Sequence, residues 1–251
     1  MSSTLLVYLL ASLVGLSLGF LGAGGSIFAL PILRYAAGLP VDQAVATSLA
    51  TVGAVSAVGA AVAWQQGRVC WRSALSFSLL ASLGTAVGVK LASRVPDKVQ
   101  MGLFLVLMGG AVVAMLRRSE ASATDAVSPQ PPRMVVLASV LGVGMLTGLV
   151  GVGGGFLIVP AMVAIFRLPV KKATGTSLAA IALNSLTGVS LFASGDLLQV
   201  KLTLAFTSAA LLGLGVGLTA GKDAEPATVE RVFVSAVAVV ALTTIAQEFF
   251  R

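Results

Sequence analysis

The chain has 251 residues, of which 57% are apolar and only 10% charged, and its mean hydropathy is +1.03. A soluble domain carries about 25% charged residues, so a protein this size lacks the polar groups to cover a water-facing surface. An ordinary cytosolic enzyme, a disordered chain and a disulfide scaffold are excluded, and a polytopic membrane protein remains. The net charge of +7 comes from basic residues lying between apolar runs. That is the pattern of loops facing an anionic leaflet, so the bilayer is an expected partner and nucleic acid is not. Cys70 is the single cysteine and has no partner for an internal disulfide.

In chain order, long apolar segments fall at Thr4–Leu21, Val41–Ala63, Trp71–Ala92, Val99–Leu116, Met134–Val150, Val170–Ala193, Leu202–Ala220 and Thr228–Phe249. Each approaches the roughly 20 residues that a spanning helix needs. Two shorter runs, Ser26–Ala37 and Phe156–Phe166, each follow a glycine cluster. Met1–Thr4 carries no basic residue, so the first segment is expected to stay as a membrane helix and not to be a cleaved signal. The one long polar stretch, Arg117–Arg133, holds charges and the Ser128-Pro-Gln-Pro-Pro132 run. It reads as a linker between a first unit, 1–116, and a second, 134–251.

The two units match without gaps at an offset of 129 residues. Gly22-Ala-Gly-Gly25 aligns with Gly151-Val-Gly-Gly154, Pro31 with Pro160, and Leu39-Pro-Val41 with Leu168-Pro-Val170. Thr47-Ser-Leu-Ala50 aligns with Thr176-Ser-Leu-Ala179, Ser56 with Ser185, and Gly59 with Gly188. From Gly19 to Gly59, 15 of 41 positions are identical, where chance at this composition gives roughly a tenth. Gly15 also meets Gly144, and the Gly84/Gly88 pair meets Gly213/Gly217. The fold class expected is an all-α polytopic membrane protein of two homologous repeats. Each has four long transmembrane helices and one short helix after a glycine-rich break, an arrangement typical of secondary transporters.

Parity sets the repeat orientation. If the short runs cross, each repeat has five passes and the repeats are inverted; Lys+Arg then divide ten to six between the faces. If they only re-enter, the split is nine to seven. The first division fits the positive-inside tendency better, with an external N-terminus and Arg68, Arg72, Arg117, Arg118, Arg133, Arg167, Lys171, Lys172, Lys222 and Arg231 inside.

Candidate ligand-binding residues follow from the breaks. Gly22, Gly24 and Gly25, followed by Ser26, and Gly151, Gly153, Gly154 and Gly155 interrupt helices at membrane depth. Exposed backbone there is tolerated where it lines a cavity or is buried in protein. Each cluster precedes a short helix whose free N–H groups face the break, and two such ends near the midplane make an anion site without a formal charge. The alternative role for these glycines is close helix packing, which is the role expected of Gly84/Gly88 and Gly213/Gly217. Neither cluster continues as a nucleotide-binding loop. Thr47, Ser48, Thr176 and Ser177 supply hydroxyl donors, and Ser56, Ser185 and Asn184 lie two turns further on. Interhelical hydrogen bonds or back-bonding to the preceding turn are the other use of such groups. Lys171 and Lys172 are expected to snorkel, and Trp64 and Trp71 to sit in the interfacial belt.

The chain has no histidine, and all nine acids fall in loops or near segment ends. A cation site or a carboxylate proton relay needs an acid inside the bundle. The site is therefore expected to take an anion or a neutral solute, with no metal, no cofactor and no base for enzymatic hydrolysis or redox chemistry.

Gly19-Phe-Leu-Gly-Ala-Gly-Gly-Ser-Ile-Phe-Ala-Leu-Pro31 with Leu39-Pro-x-x-x-Ala44-x-x-Thr47-Ser48 resembles the repeated signature of the TauE/SafE sulfite exporter family. The second copy is Gly148-Leu-Val-Gly-Val-Gly-Gly-Gly-Phe-Leu-Ile-Val-Pro160 with Leu168-Pro-x-x-x-Ala173-x-x-Thr176-Ser177. The copies differ at Ser26 against Gly155, so the two half-sites are expected to be unequal. The resemblance implies an inner-membrane permease for small anions, sulfite or organosulfonates, driven by a proton or substrate gradient and not by ATP. Alternating access about a midplane site is the mechanism expected, with any coupled proton riding on bisulfite. A passive anion channel shares the same residues; a membrane assembly factor or an intramembrane enzyme needs a constellation absent from the chain. Assembly as a homo-oligomer is compatible with the sequence.

Overall fold

A computed structural model describes residues 3–22, 25–92, 94–121, 132–150, 155–192 and 198–220, and residues 231, 235, 238, 239, 241 and 242. The described chain is helical, without strands. Its helices are α1 (Ser3–Leu21), α2 (Ser26–Pro31), α3 (Val41–Gln65), α4 (Trp71–Ala92), α5 (Asp97–Ala121), α6 (Arg133–Val150), α7 (Gly155–Ala164), α8 (Val170–Phe192) and α9 (Val200–Ala220). Seven of the eight long apolar segments are thus helices; most of Thr228–Phe249 lies outside the described residues, as does most of the linker. Among the described helices, α3, α4 and α9 are long and apolar enough to cross a membrane.

Two details depart from the sequence reading. α5 continues through Ala121, five residues past the expected stop at Leu116. The first proline of the polar stretch is Pro129, and Arg-Arg-Ser-Glu-Ala opposes a helix only weakly. The short run after the first break is α2 followed by a π-helical turn, Ile32–Ala36. Pro31 has no N–H to donate back, and beyond it the ladder widens, with Ala37 N–H on Ile32 O (3.0 Å).

Glycines set the tightest contacts, and they pair helices from different repeats. A Cβ on Gly15 or Gly19 of α1 would strike the Ala210 or Leu214 carbonyl of α9; one on Gly213 or Gly217 would strike Ser12 or Leu16 of α1. The same geometry recurs 129 residues away. Gly84 and Gly88 of α4 meet the Leu141 and Met145 carbonyls of α6, and Gly144 and Gly148 meet those of Ala81 and Thr85. In both pairs the sequence numbers rise together, so α1 runs parallel to α9 and α4 parallel to α6. Small residues at this spacing let backbones touch where the surrounding lipid gives helices no hydrophobic drive to associate.

α3 and α8 cross at the centre in opposite directions. Gly59 faces Leu178, Gly53 faces Ser185 and Gly188 faces Leu49. The Ser78 hydroxyl of α4 donates to Ala180 O of α8 (3.3 Å), and the equivalent Thr207 of α9 donates to Thr51 of α3 (3.0 Å). The outer faces of α4 and α9 expose Leu75, Leu79, Leu83 and Val87, and Leu204, Leu212 and Val216. Apolar stripes of that length face lipid more readily than water. Trp64 and Trp71 bracket the α3–α4 turn edge to face, ring centroids 6.0 Å apart.

Candidate functional site

The antiparallel crossing of α3 and α8 decides where the expected site residues fall. Gly59 faces Leu178 and Ala63 lies against Gly175, so Thr176 and Ser177 sit beside the last third of α3. Thr47 and Ser48 lie in its first third. At a rise of about 1.5 Å per residue the two hydroxyl pairs stand roughly 20 Å apart along the bundle. The structure does not gather them at one point, because equal positions in opposed helices fall at opposite ends. Between them, level with Gly53, lie Ser56, Asn184 and Ser185.

The breaks behave similarly. Gly22 takes φ +77°, a left-handed turn that glycine adopts without strain. A Cβ there would sit 2.5 Å from Thr174 Cβ, so the first repeat's break rests on the second repeat's α8. Gly25 folds back against Val14–Leu18 of α1, returning the chain to the height of Gly53. Ser26 and Gly155, which begin the two short helices, are both buried, and α2 touches α7. Gly24, Gly151, Gly153 and Gly154 lie outside the described residues. With six α-helical residues before its π turn, α2 is too short for its helix-end charge to define a site, so the weight moves to side-chain donors.

Those donors share one property. Among the described residues, the buried side-chain polar atoms without a hydrogen-bond partner are Thr47 Oγ1, Ser48 Oγ, Ser56 Oγ, Ser177 Oγ, Asn184 Nδ2, Ser185 Oγ and Gln100 Oε1. Six of the seven belong to α3 and α8. Buried serines and threonines in helices usually back-bond to the preceding turn. Thr147 and Thr203 do so, to Val143 O (2.7 Å) and Gln199 O (2.9 Å). The α3/α8 groups do not. Each such orphan costs about 1–3 kcal/mol, a cost relieved by a solute that offers matching partners.

Two residues of the seam behave differently. Thr176 is occupied: its Oγ1 accepts the Cys70 N–H (3.0 Å), docking the α3–α4 turn on α8. Its counterpart Thr47 has no such partner. Asn184 is half satisfied, with Oδ1 accepting from Thr85 Oγ1 of α4 (2.8 Å), which also lies 3.1 Å from Gly144 O. Sequence reasoning missed Thr85. The available signal was repeat asymmetry, since Asn184 and Thr85 are both polar where the other repeat has Val55 and Leu214.

A cavity of about 200 Å³ opens where α3 and α9 begin, lined by Val7, Tyr8, Ala36, Ala37, Leu39, Gln199 and Leu202. At the other end Phe166, the counterpart of Ala37, packs on Phe77 with centroids 6.4 Å apart.

Cys70 sits in the α3–α4 turn, outside the helices. The Ser73 hydroxyl donates to its sulfur (3.4 Å). That bond, the Ser73 backbone and the charge of Lys172 hold the thiol below its ordinary pKa against the opposing effect of burial. Maleimide labelling of Cys70 is expected to reach half-maximal rate at a lower pH than a free cysteine, and Ser73→Ala to move that midpoint upward. A pH profile unchanged by Ser73→Ala contradicts this.

Apolar spanning helices and, among the described residues, an interior without acidic side chains and a central seam of unpaired polar groups mark a membrane-embedded helical protein. The profile of the family described as "Sulfite exporter TauE/SafE" matches residues 7–244, and the chain belongs to that family of membrane transporters. It is 36% identical over 210 residues to a "Probable membrane transporter protein" of Xylella fastidiosa (strain 9a5c), covering 82% of this chain and 80% of the relative. A second such protein, from strain Temecula1, is 34% identical over 240 residues, covering 93% and 91%. The "Probable membrane transporter protein YdhB" of Bacillus subtilis (strain 168) is 27% identical over 182 residues, covering 70% and 74%. No solved structure matches the chain.

Proposed function

We propose that this protein is a secondary transporter of small anions, sulfite or organosulfonates, in the cell inner membrane, and that the α3/α8 seam is its path. The observation that carries the reading is the concentration of unpaired hydroxyl and amide groups along α3 and α8. Such groups donate to an oxyanion without the desolvation cost of a buried lysine. The family description supports sulfite or a related anion as the solute.

The path works by alternating access between two inverted repeats. Helix direction supports inversion: α1, α3 and α9 run one way, and α4, α6 and α8 the other, so helices related by the 129-residue offset are opposed. Between the parallel α1 and α3 the chain must return, which makes α2 with its flanking segments the fifth pass. The cavity where α3 and α9 begin suits a state with access from that side. In this orientation Arg68, Arg72, Lys171 and Lys172 share the cytoplasmic face with Cys70. A membrane-impermeant thiol reagent is therefore expected to label Cys70 in inside-out vesicles and to spare it in right-side-out ones; the reverse pattern overturns the orientation.

Reconstituted protein tests the function. Sulfite and sulfonates are expected to show saturable counterflow in proteoliposomes. Flux of a cation without either anion refutes the reading, and anion flux without saturation or counterflow assigns a passive channel.

A further inference from the structure

Resting on the anion-transport reading, the seam's chemistry bears on how much charge it accepts. Ser56, Asn184 and Ser185 are 0%, 1% and 1% exposed and carry unpaired polar atoms midway along the bundle. All are neutral. The charged and titratable groups on the elements around them stand away from that level. Asp42, Lys171 and Lys172 are in the first turns of α3 and α8, and Lys201 is in the first turn of α9. Arg72 and Lys90 lie near the two ends of α4, and Arg34 and Tyr35 lie in the π-helical turn, where Arg34 donates to Leu39 O (3.0 Å). α7 carries no ionisable residue.

We propose that the seam selects by charge number, admitting oxyanions with one negative charge and rejecting those with two. Moving an ion into a medium of low dielectric costs free energy in proportion to the square of its charge, so a dianion costs about four times as much as a monoanion of equal size. Neutral hydroxyl and amide donors, each worth about 1.5–3 kcal/mol to a charged acceptor, offset the smaller cost. The larger cost needs a buried cation, and among the described residues no basic side chain stands midway along the bundle. Sulfite is then carried as bisulfite, and sulfonates without a second acidic group, such as methanesulfonate, hold one charge at any pH near neutrality and are carried as they are.

The test is counterflow in proteoliposomes of the full chain, with the same pH on both sides so that no gradient changes. Methanesulfonate, sulfite and sulfate are compared at constant total concentration while pH is raised through the second ionisation of sulfite. Methanesulfonate flux is expected to stay level. Sulfite flux is expected to fall with the monoanion fraction, approaching about tenfold per pH unit, and sulfate is expected to move no faster than in empty vesicles. Sulfate flux, or sulfite flux that holds or rises with pH, overturns charge selection and leaves anion transport standing. Methanesulfonate flux falling in step with sulfite assigns the pH effect to the protein and also overturns it. Movement of none of the three defeats both readings.

Discussion

Gly84→Leu is expected to destabilise the protein by about 3 kcal/mol or more, read as a fall in thermal unfolding temperature in detergent. Even the Cβ of an alanine would lie within van der Waals contact of Leu141 O, and 2.8 Å from Met145 N. Both obstacles are backbone of another helix, so no side chain can swing aside. α4 and α6 must separate, losing the contacts of Gly88, Gly144 and Gly148 as well. The counterpart Gly213→Leu acts on α1 and α9 with similar size, and the two should add because the pairs lie apart. Gly109→Ala is the internal control. Nothing lies within 4 Å of that position, so the substitution is expected to be neutral or to stabilise by up to about 1 kcal/mol through helix propensity. Equal effects at positions 84 and 109 contradict the packing described here.

Asn184→Val is expected to move stability and binding in opposite directions. Valine is what the first repeat has at the equivalent position, Val55. The substitution removes an unpaired buried amide, and Thr85 keeps Gly144 O as an acceptor at 3.1 Å. Ligand-free stability should therefore hold or rise. Affinity for methanesulfonate, a solute of the proposed class, should fall by about 1.5–3 kcal/mol, or roughly ten- to a hundredfold, if the amide donates to the bound anion. Calorimetry on the purified protein separates the two quantities. A variant that binds as tightly as the parent removes Asn184 from the site, and one that unfolds makes Asn184 a structural residue.

Much of this architecture is legible in the sequence because duplication repeats every constraint. The 129-residue offset identifies Gly84/Gly88 and Gly213/Gly217 as contact faces, and the structure uses them so. It does not identify the partner. That α1 packs on α9, and α4 on α6, follows from three-dimensional exchange between repeats, on which a one-dimensional match is silent. The hydroxyl pairs show the same limit. Thr47 and Thr176 occupy identical motifs, yet Thr176 Oγ1 accepts the Cys70 N–H while Thr47 Oγ1 is buried without a hydrogen-bond partner. Their spacing within each helix is visible in the chain, but their separation across the bundle depends on helix direction. The Thr85–Asn184 bond is legible only as a departure from the repeat, at positions where the other copy is apolar.

Welding α3 to α8 tests whether the solute passes between them, as proposed. In a Cys70→Ser background, Gly59→Cys and Leu178→Cys place thiols where the two helices touch, since a Cβ on Gly59 lies 3.2 Å from Leu178 Cδ1. Counterflow of methanesulfonate is measured before bridging with a short bis-methanethiosulfonate, which joins the two thiols through disulfides, after bridging, and after release by a reductant. Bridging is expected to abolish flux, and release to restore it. Undiminished flux through protein with a quantitatively bridged α3/α8 seam would contradict that path.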